Sequence, residues 1–260
     1  MWQRSLSVLM LIGWWPVCAL ATDAGSGQPE TQDSIRVLVV TGVDYAGHKW
    51  KLTGPALRDV LEQDERFDVR IVEDPEILAT DVIFDFDAVF IHFKNYDPLR
   101  REAEARENLT RFVREGGGLA LLHFACGAFP GWPEFEDLAG KVWDEAMTGG
   151  YHDPRGPFTI KVTDADHAIT RDMQDFRADD ELYYCLKGIR DVRTLATARS
   201  KVTGKDHPMA FVFDYGKGRV FHTPLGHDVK AIQMQGVAEL LRRGTVWVGG
   251  RETTNSTNSK

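Results

Sequence analysis

The chain has 260 residues, 43% of them hydrophobic, and a formal net charge of −8 at pH 7. This length and apolar content fit one domain with a sizeable core, or two small domains. The acidic balance argues against a protein that binds nucleic acid or an anionic membrane, because such proteins usually present a basic face.

The first 21 residues have the order of a secretory signal peptide. Arg4 lies in a short basic start, Leu6 to Val17 is mostly apolar, and small residues follow up to Ala21. The apolar run is short for a membrane span, which needs about 20 residues. Cleavage after Ala21 would remove one charge, Arg4, and change the net charge from −8 to −9. We therefore expect a periplasmic or secreted chain.

Both ends of the mature chain are polar. Residues 22–34 are expected to be a disordered linker, and residues 250–260 a disordered tail. Lipid attachment at Cys18 is the weaker alternative to simple cleavage, because Val17 stands where a small residue is expected. The folded domain is expected to cover residues 35–249.

Strand-like and helix-like segments alternate in the first half of this domain. Continuous apolar runs such as "IRVLVV" are typical of strands buried on both faces of a parallel sheet. This alternation predicts a mostly parallel sheet with helices on both faces. The predicted elements are strands at 35–40, 67–74, 86–93 and 119–124, and helices at 55–63, where Pro55 fits a first turn, and at 99–115.

The second half is richer in strands. The turn sequence "DYGKGR" predicts a hairpin, so these strands are expected to extend the sheet in antiparallel fashion. The predicted elements are strands at 157–162, 194–198, 209–215 and 218–223, and a closing helix at about 230–243.

Histidines recur where predicted strands end or in the adjoining loops. Ligands of open α/β sheets bind beyond the carboxyl ends of the strands. Neutral imidazole is both a common metal ligand and a good general base near neutral pH. The pattern therefore predicts a metal site or an acid–base site. The candidates are His48, His123, His152 and His227, with Glu181 and Asp228 as nearby carboxylates.

Other polar and aromatic residues have simpler interpretations. His92 and His222 lie within apolar strand patterns and are expected to be structural. Trp132 and Trp143 are expected to pack in the core or in a lid. Cys126 could be a nucleophile, but the elbow position at the strand end falls nearer His123.

Several segments together resemble one known family. They are "VLVVTG…GHKW", "FDAVFIH", "GGGLALLHF", "GGYHDP…PFTIKVTDADHAIT", "DELYY" and "YGKGRVFHTPLGHD". In number and order these segments resemble the trehalose-utilisation, or ThuA-like, family over about residues 35–249. The resemblance implies a flavodoxin-like three-layer α/β sandwich, similar to class I glutamine amidotransferases but without their Cys–His–Glu triad. It also implies carbohydrate metabolism, acting on keto-glycosides made by a partner sugar dehydrogenase. By motif position it points to His48, His123, His152, Glu181, His227 and Asp228.

The leading hypothesis is an enzyme that acts on a sugar or keto-sugar by isomerisation, elimination or hydrolysis. A divalent metal, Zn or Mn, would be held by some of His48, His123, His152 and His227. His123, Glu181 and Asp228 would be the catalytic residues. One alternative is a non-catalytic carbohydrate-binding protein, which would bind sugar without turnover. The other is an amidase or hydrolase that depends on Cys126, which thiol alkylation would inactivate.

Overall fold

The computed structural model describes residues 1–2 and 34–250. Residues 3–21 of the predicted signal peptide, 22–33 of the linker and 251–260 of the tail lie outside the described residues. Among the helices described, none combines the length and the apolar composition needed to cross a bilayer.

Eleven strands and five α-helices make up the described fold. The strands are β1 (Ile35–Val40), β2 (Phe67–Val72), β3 (Ala88–Ile91), β4 (Gly118–Leu122), β5 (Val142–Trp143), β6 (Gly156–Val162), β7 (Phe176–Asp180), β8 (Leu186–Lys187), β9 (Arg193–Arg199), β10 (Asp206–Tyr215) and β11 (Gly218–Thr223). The helices are α1 (Trp50–Leu61), α2 (Glu102–Glu115), α3 (Pro133–Ala139), α4 (Val229–Gln233) and α5 (Gln235–Val248). Short 3₁₀ helices span Pro75–Ala79, Asp81–Asp85 and His123–Gly127.

Nine of these strands form one sheet in the order β2-β1-β3-β4-β11-β10-β9-β6-β7. The first five run parallel, and each later strand is antiparallel to its neighbour. Two antiparallel steps restore a strand's direction, so β7 points the same way as β11. The carboxyl ends of β1, β3, β4, β11 and β7 therefore face one side of the sheet.

Apolar side chains on both faces of the sheet make this a three-layer fold. Successive residues of a strand point to opposite faces, so Val37 and Val39 pack in one cluster with α1 and α5. Leu38 and Val40 pack in the other cluster with α2 and α3. The predicted fold, a mostly parallel sheet between helices with added antiparallel strands, is confirmed.

The end of the sheet packs against α4 and α5. The Phe176 ring in β7 lies so close to Gly236 that a Cβ there would be 2.3 Å from it. The Asp179 N–H donates to the sulfur of Met234 at 3.0 Å. Because of this packing, the carboxyl end of β7 reaches the loop that follows β11.

Two predicted helices have different limits in the structure. The prediction that a helix begins near Pro55 is wrong, because α1 begins at Trp50, whose buried ring and Nε1–H bond to Asp44 (2.8 Å) anchor an earlier first turn. The prediction of a single closing helix is also wrong. Met234 has extended backbone (φ −62°, ψ 131°) and separates α4 from α5.

Three strands and one α-helix are present in the structure but not predicted from the sequence. They are β7, α3 and the short pair β5–β8. The sequence of β7, "FRADD", has no β-branched residue, and such residues are the usual mark of a strand.

Candidate active site

His123 lies at a strained turn directly after β4. Its φ of 52° is in the left-handed region, which a residue with a side chain adopts at a cost of about 1–3 kcal/mol. The ring is fully buried, and Nδ1 lies 2.7 Å from the carbonyl oxygen of Pro224. A carbonyl only accepts, so Nδ1 carries the proton and the lone pair of Nε2 points into the site.

Three histidines converge at this point. Ligand nitrogens of His48, His123 and His227 all lie within 4.8 Å of one another. Nitrogens bound to one zinc ion lie about 3–4 Å apart, since each Zn–N bond is about 2.0–2.1 Å. Small side-chain movements would therefore let the three share one ion. The predicted convergence of histidines at the sheet edge holds for these three.

Glu181 follows β7 and supplies a carboxylate to the cluster. Its Oε2 lies 3.3 Å from Nδ1 of His227 and 3.5 Å from Nε2 of His123. Burial acts to raise the pKa of Glu181, but its contacts with His123 and His227 outweigh burial and hold the pKa well below its ordinary value. Hydrogen bonding to Glu181 in turn raises the pKa of His227. The carboxylate is therefore charged at neutral pH.

The loop after β1 holds His48 in a buried position. Gly42 has φ +112°, and a Cβ there would lie 2.1 Å from the Glu73 carbonyl oxygen, so the turn requires glycine. The His48 ring stacks on Phe124, with 4.4 Å between ring centroids. Burial, with the neighbouring His123 and His227, lowers the pKa of His48 to about 2. Its Nδ1 is buried without a hydrogen-bond partner among the described residues.

Asp180 fixes the His227 loop, and the sequence did not reveal it. This fully buried carboxylate accepts backbone N–H bonds from Gly226 (2.6 Å), His227 (3.1 Å) and Glu181 (2.8 Å). It thereby joins the end of β7 to the loop after β11. The alternation of Phe176, Ala178 and Asp180 in "FRADD" was the one available signal, since it places all three on the same face.

Tyr183 is a second residue whose role the sequence did not reveal. Its hydroxyl lies 2.8 Å from Nε2 of His123, and the ring is buried. Because Nε2 is the unprotonated nitrogen, the tyrosine is the donor. Burial raises the pKa of Tyr183 well above its ordinary value, so it remains a neutral hydroxyl.

His152 and Asp228 occupy the edge of the site. Nδ1 of His152 donates to the Asp153 carbonyl oxygen (2.7 Å), and Nε2 lies 3.8 Å from Glu181 Oε1. His152 is thus joined to Glu181 and is not one of the three converging histidines. Asp228 caps α4 by accepting from the Ala231 N–H (2.9 Å) and pairs with Arg155. Its two oxygens are both engaged in these contacts.

The two histidines expected to be structural are fully buried. His92 Nδ1 lies 3.0 Å from the Thr41 hydroxyl, and His222 Nδ1 lies 3.0 Å from the Ala139 carbonyl oxygen. Burial lowers the pKa of His92 to about 3 and that of His222 to about 4. Both rings are neutral links between elements of the core.

Cys126 is poorly placed to be a nucleophile. It lies in the 3₁₀ helix that follows His123, is 1% exposed, and has its pKa raised by burial. Cys185 packs in the same small apolar cluster, and burial raises its pKa to about 12. Both thiols are free. A thiolate, the form that attacks, is disfavoured at both positions.

An open cavity of about 770 Å³ adjoins the cluster. His227 and Asp228 form one side of it, and Lys49, Leu52 and Arg155 are among its other walls. A cavity of this size is within the range that holds small-molecule ligands.

Comparison with known proteins identifies the family. The model of the ThuA family, described as trehalose utilisation, matches residues 36–248. The chain belongs to the ThuA family. Among curated proteins, none matches this sequence significantly. Membership confirms the resemblance seen in the sequence and associates the chain with carbohydrate-related function.

Solved structures share the fold of this chain. A protein from Parabacteroides merdae described as ThuA-like is 27% identical, with a TM-score of 0.76 over 86% of this chain and 93% of that one. A second ThuA-like protein, from Bacteroides uniformis, is 17% identical, with a TM-score of 0.65 over 88% and 99%. A β-galactosidase from Bacillus circulans shares the fold over 84% of this chain and 31% of its own, at 14% identity and a TM-score of 0.52.

Proposed function

We propose that this ThuA-family chain is a carbohydrate-active enzyme whose site binds a divalent metal ion, Zn²⁺ or Mn²⁺. The observation that carries the proposal is the convergence of His48, His123 and His227 within 4.8 Å, beside the Glu181 carboxylate. The buried Nδ1 of His48 supports it, because this atom has no hydrogen-bond partner among the described residues and its lone pair is available to an ion. Imidazole and carboxylate groups form a donor set that suits both ions.

The surrounding residues are suited to moving a proton next to a carbonyl group. A divalent ion, when bound, would polarise a carbonyl or hydroxyl oxygen of the sugar. Glu181 is charged and acts as the proton acceptor: the C–H bond beside the carbonyl breaks, its electron pair moves toward the carbonyl oxygen, and the proton goes to the carboxylate. Return of the proton to the opposite face of the same carbon gives an isomer, the epimer at that position. Elimination follows instead if the carbonyl re-forms and the substituent on the next carbon, β to the carbonyl, leaves with its bonding electron pair.

His152 would carry the proton between Glu181 and solvent. Its Nε2 is 3.8 Å from Glu181 Oε1, and its side chain is 36% exposed. Its Nδ1 bond to the Asp153 carbonyl leaves Nε2 as the nitrogen that takes up the proton. This position favours proton transfer by His152 over direct coordination of the metal ion.

The contacts of Asp228 favour a structural role over the catalytic role expected from the sequence. The helix cap at Ala231 and the ion pair with Arg155 engage its carboxylate. These bonds favour a role in holding the His227 loop, and they leave Glu181 as the base.

The proposed substrate is a keto-glycoside, in which the keto group acidifies the adjacent C–H bond. A partner sugar dehydrogenase would supply it by oxidising a ring hydroxyl. We also propose that the reaction takes place outside the cytoplasm, following the signal-peptide pattern of residues 1–21.

The test is proton exchange in deuterated water. Purified protein with added Zn²⁺ or Mn²⁺ is mixed with a 3-keto-glucoside, and deuterium uptake and products are followed by NMR. Glu181→Gln should slow exchange at least about 100-fold, consistent with loss of a general base. Glu145→Gln, a change at an exposed glutamate, is the control. Sugar binding without exchange under either metal would instead indicate a carbohydrate-binding protein.

A further inference from the structure

Lys94 is a half-buried cation that lies beside two aromatic residues near the histidine cluster. It follows β3 and is held between two aromatic rings: its Nζ lies 5.2 Å from the centroid of Tyr96 and 4.8 Å from that of Trp143. Within the described part of the chain, Lys94 makes no ion pair and no hydrogen bond. It is therefore a charge with two aromatic faces beside it and no protein anion.

The lysine stem is fixed against the backbone that carries His123. A Cβ added to Gly127, the last residue of the 3₁₀ helix His123–Gly127, would lie 2.8 Å from the Lys94 Cδ. Glycine at 127 thus leaves the groove in which the stem lies. The ammonium group is held by this packing and by the two rings.

Ring contacts connect Lys94 to the histidine cluster from both sides. On one side Tyr96 contacts Tyr45, which contacts His48, with centroid distances of 5.8 and 5.1 Å. On the other side Trp143 contacts Tyr183 at 5.2 Å, and Tyr183 bonds His123. Lys94 is therefore connected to His48 and to His123 through a short series of side-chain contacts on each side. Tyr96 is 59% exposed, so part of this residue is accessible to a ligand.

The chemistry of this position favours a ligand with one negative charge. Partial burial of an ammonium group costs free energy unless an anion accompanies it. A phosphate group is usually bound by several donors, often arginine or backbone N–H groups. A single ammonium beside aromatic faces matches a single carboxylate on a ring that can stack.

We propose that Lys94, Tyr96 and Trp143 form a subsite for the carboxylate of an acidic sugar, such as a uronic acid. This deepens the proposed function and rests on it for the reaction, because it names the substrate class of the same site. A sugar ring lies against Tyr96, its carboxylate binds the Lys94 ammonium, and the rest of the substrate extends toward the histidines.

The test compares an acidic sugar with its neutral counterpart. D-glucuronate and D-glucose are titrated by calorimetry into the wild type, Lys94→Met, Lys94→Arg and Lys217→Met. Lys217 is an exposed lysine of the β10–β11 hairpin, so its variant removes one charge away from the site. Glucuronate should bind the wild type at least 10-fold more tightly than glucose. Lys94→Met should abolish that preference, Lys94→Arg should keep much of it, and Lys217→Met should not alter it.

Three outcomes would overturn the subsite. They are equal binding of both sugars by the wild type, equal weakening of both by Lys94→Met, and no binding of either sugar. The last would also remove the carbohydrate proposal. A glucuronate preference that needs Lys94, in a protein that fails the proton-exchange test, would support the subsite and contradict the proposed reaction alone.

Discussion

The Tyr183 hydroxyl lies 2.8 Å from Nε2 of His123, the nitrogen that the bond from Nδ1 to Pro224 leaves unprotonated. The tyrosine therefore donates to the same lone pair that a metal ion would use. Metal binding to Nε2 of His123 and the hydrogen bond from Tyr183 therefore exclude each other. When a metal ion is bound, the Tyr183 hydroxyl must turn to another acceptor, such as a substrate oxygen.

This competition predicts that Tyr183→Phe binds metal more tightly. A hydrogen bond of this kind contributes about 0.5–1.5 kcal/mol, so affinity should rise by roughly 2- to 10-fold. Competition with a chelating dye for Zn²⁺ measures it, and Tyr184→Phe at the next position serves as the control. Weaker metal binding in Tyr183→Phe would mean that the hydroxyl helps to hold the ion.

Asp180 should be important for stability as well as for the site. Asp180→Ala leaves the backbone N–H groups of Glu181, Gly226 and His227 without their acceptor, and each unsatisfied group costs about 1–3 kcal/mol. Allowing for water entry, the free energy of unfolding should fall by about 2–5 kcal/mol in urea titrations.

The neighbouring Asp179 provides the matched control for that change. It pairs at the surface with Lys230, whose side chain is 68% exposed, and such pairs contribute about 0–1 kcal/mol. Asp179→Ala should therefore have a small effect. Equal losses in the two variants would contradict the role given to Asp180.

The buried neutral histidines predict a steep loss of stability in mild acid. The folded pKa values of His92 and His222, about 3 and about 4, lie below the ordinary value of 6.5. As pH falls below 6.5 the unfolded state binds these protons first, so stability declines until the folded pKa values are reached. Each histidine contributes a slope approaching about 1.4 kcal/mol per pH unit.

Removing one titrating group should reduce that slope. In His222→Gln the amide can still donate to the Ala139 carbonyl, and the slope of unfolding free energy between pH 6 and pH 5 should fall by about 1.4 kcal/mol per unit. Urea titrations at several pH values measure it. The comparison uses slopes, so a lower absolute stability does not affect it. An unchanged slope would show that His222 is protonated in the folded state.

Cys126 should be dispensable. Its burial keeps the thiol protonated, so a thiol reagent should label it at least about 100-fold more slowly in the folded protein than in concentrated guanidinium chloride. Cys126→Ala should keep the metal affinity of the wild type. Rapid labelling of the folded protein, accompanied by loss of turnover, would instead support the hydrolase alternative.

Much of the fold could be predicted from the sequence because the central strands are continuous apolar runs. The runs around Ile35, Ala88 and Gly118 lie in the sheet as expected, with ends that differ by a few residues. The strand β7 was not predicted, because its inward residues are Phe176, Ala178 and Asp180 and no β-branched residue marks it.

The sequence predicts that histidines form the site, but it does not predict every residue that contributes to it. Residues that follow parallel strands meet at one edge, so the grouping of His48, His123 and His227 follows from the order of elements. The contributions of Asp180 and Tyr183 depend on how the end of the sheet packs against α4 and α5. That contact joins segments far apart in sequence, and the alternation in "FRADD" is the one local pattern that accompanies it.

The metal content of the purified protein tests the central claim most directly. Three proteins are compared: the wild type, a His123→Ala/His227→Ala variant, and a His167→Ala/His207→Ala control that changes histidines outside the cluster. Each is saturated with Zn²⁺ or Mn²⁺, desalted and analysed by elemental mass spectrometry. We predict about one ion per chain in the wild type and the control, and none in the cluster variant. No bound metal in the wild type, or equal metal in all three proteins, would contradict a metal site at His48, His123 and His227.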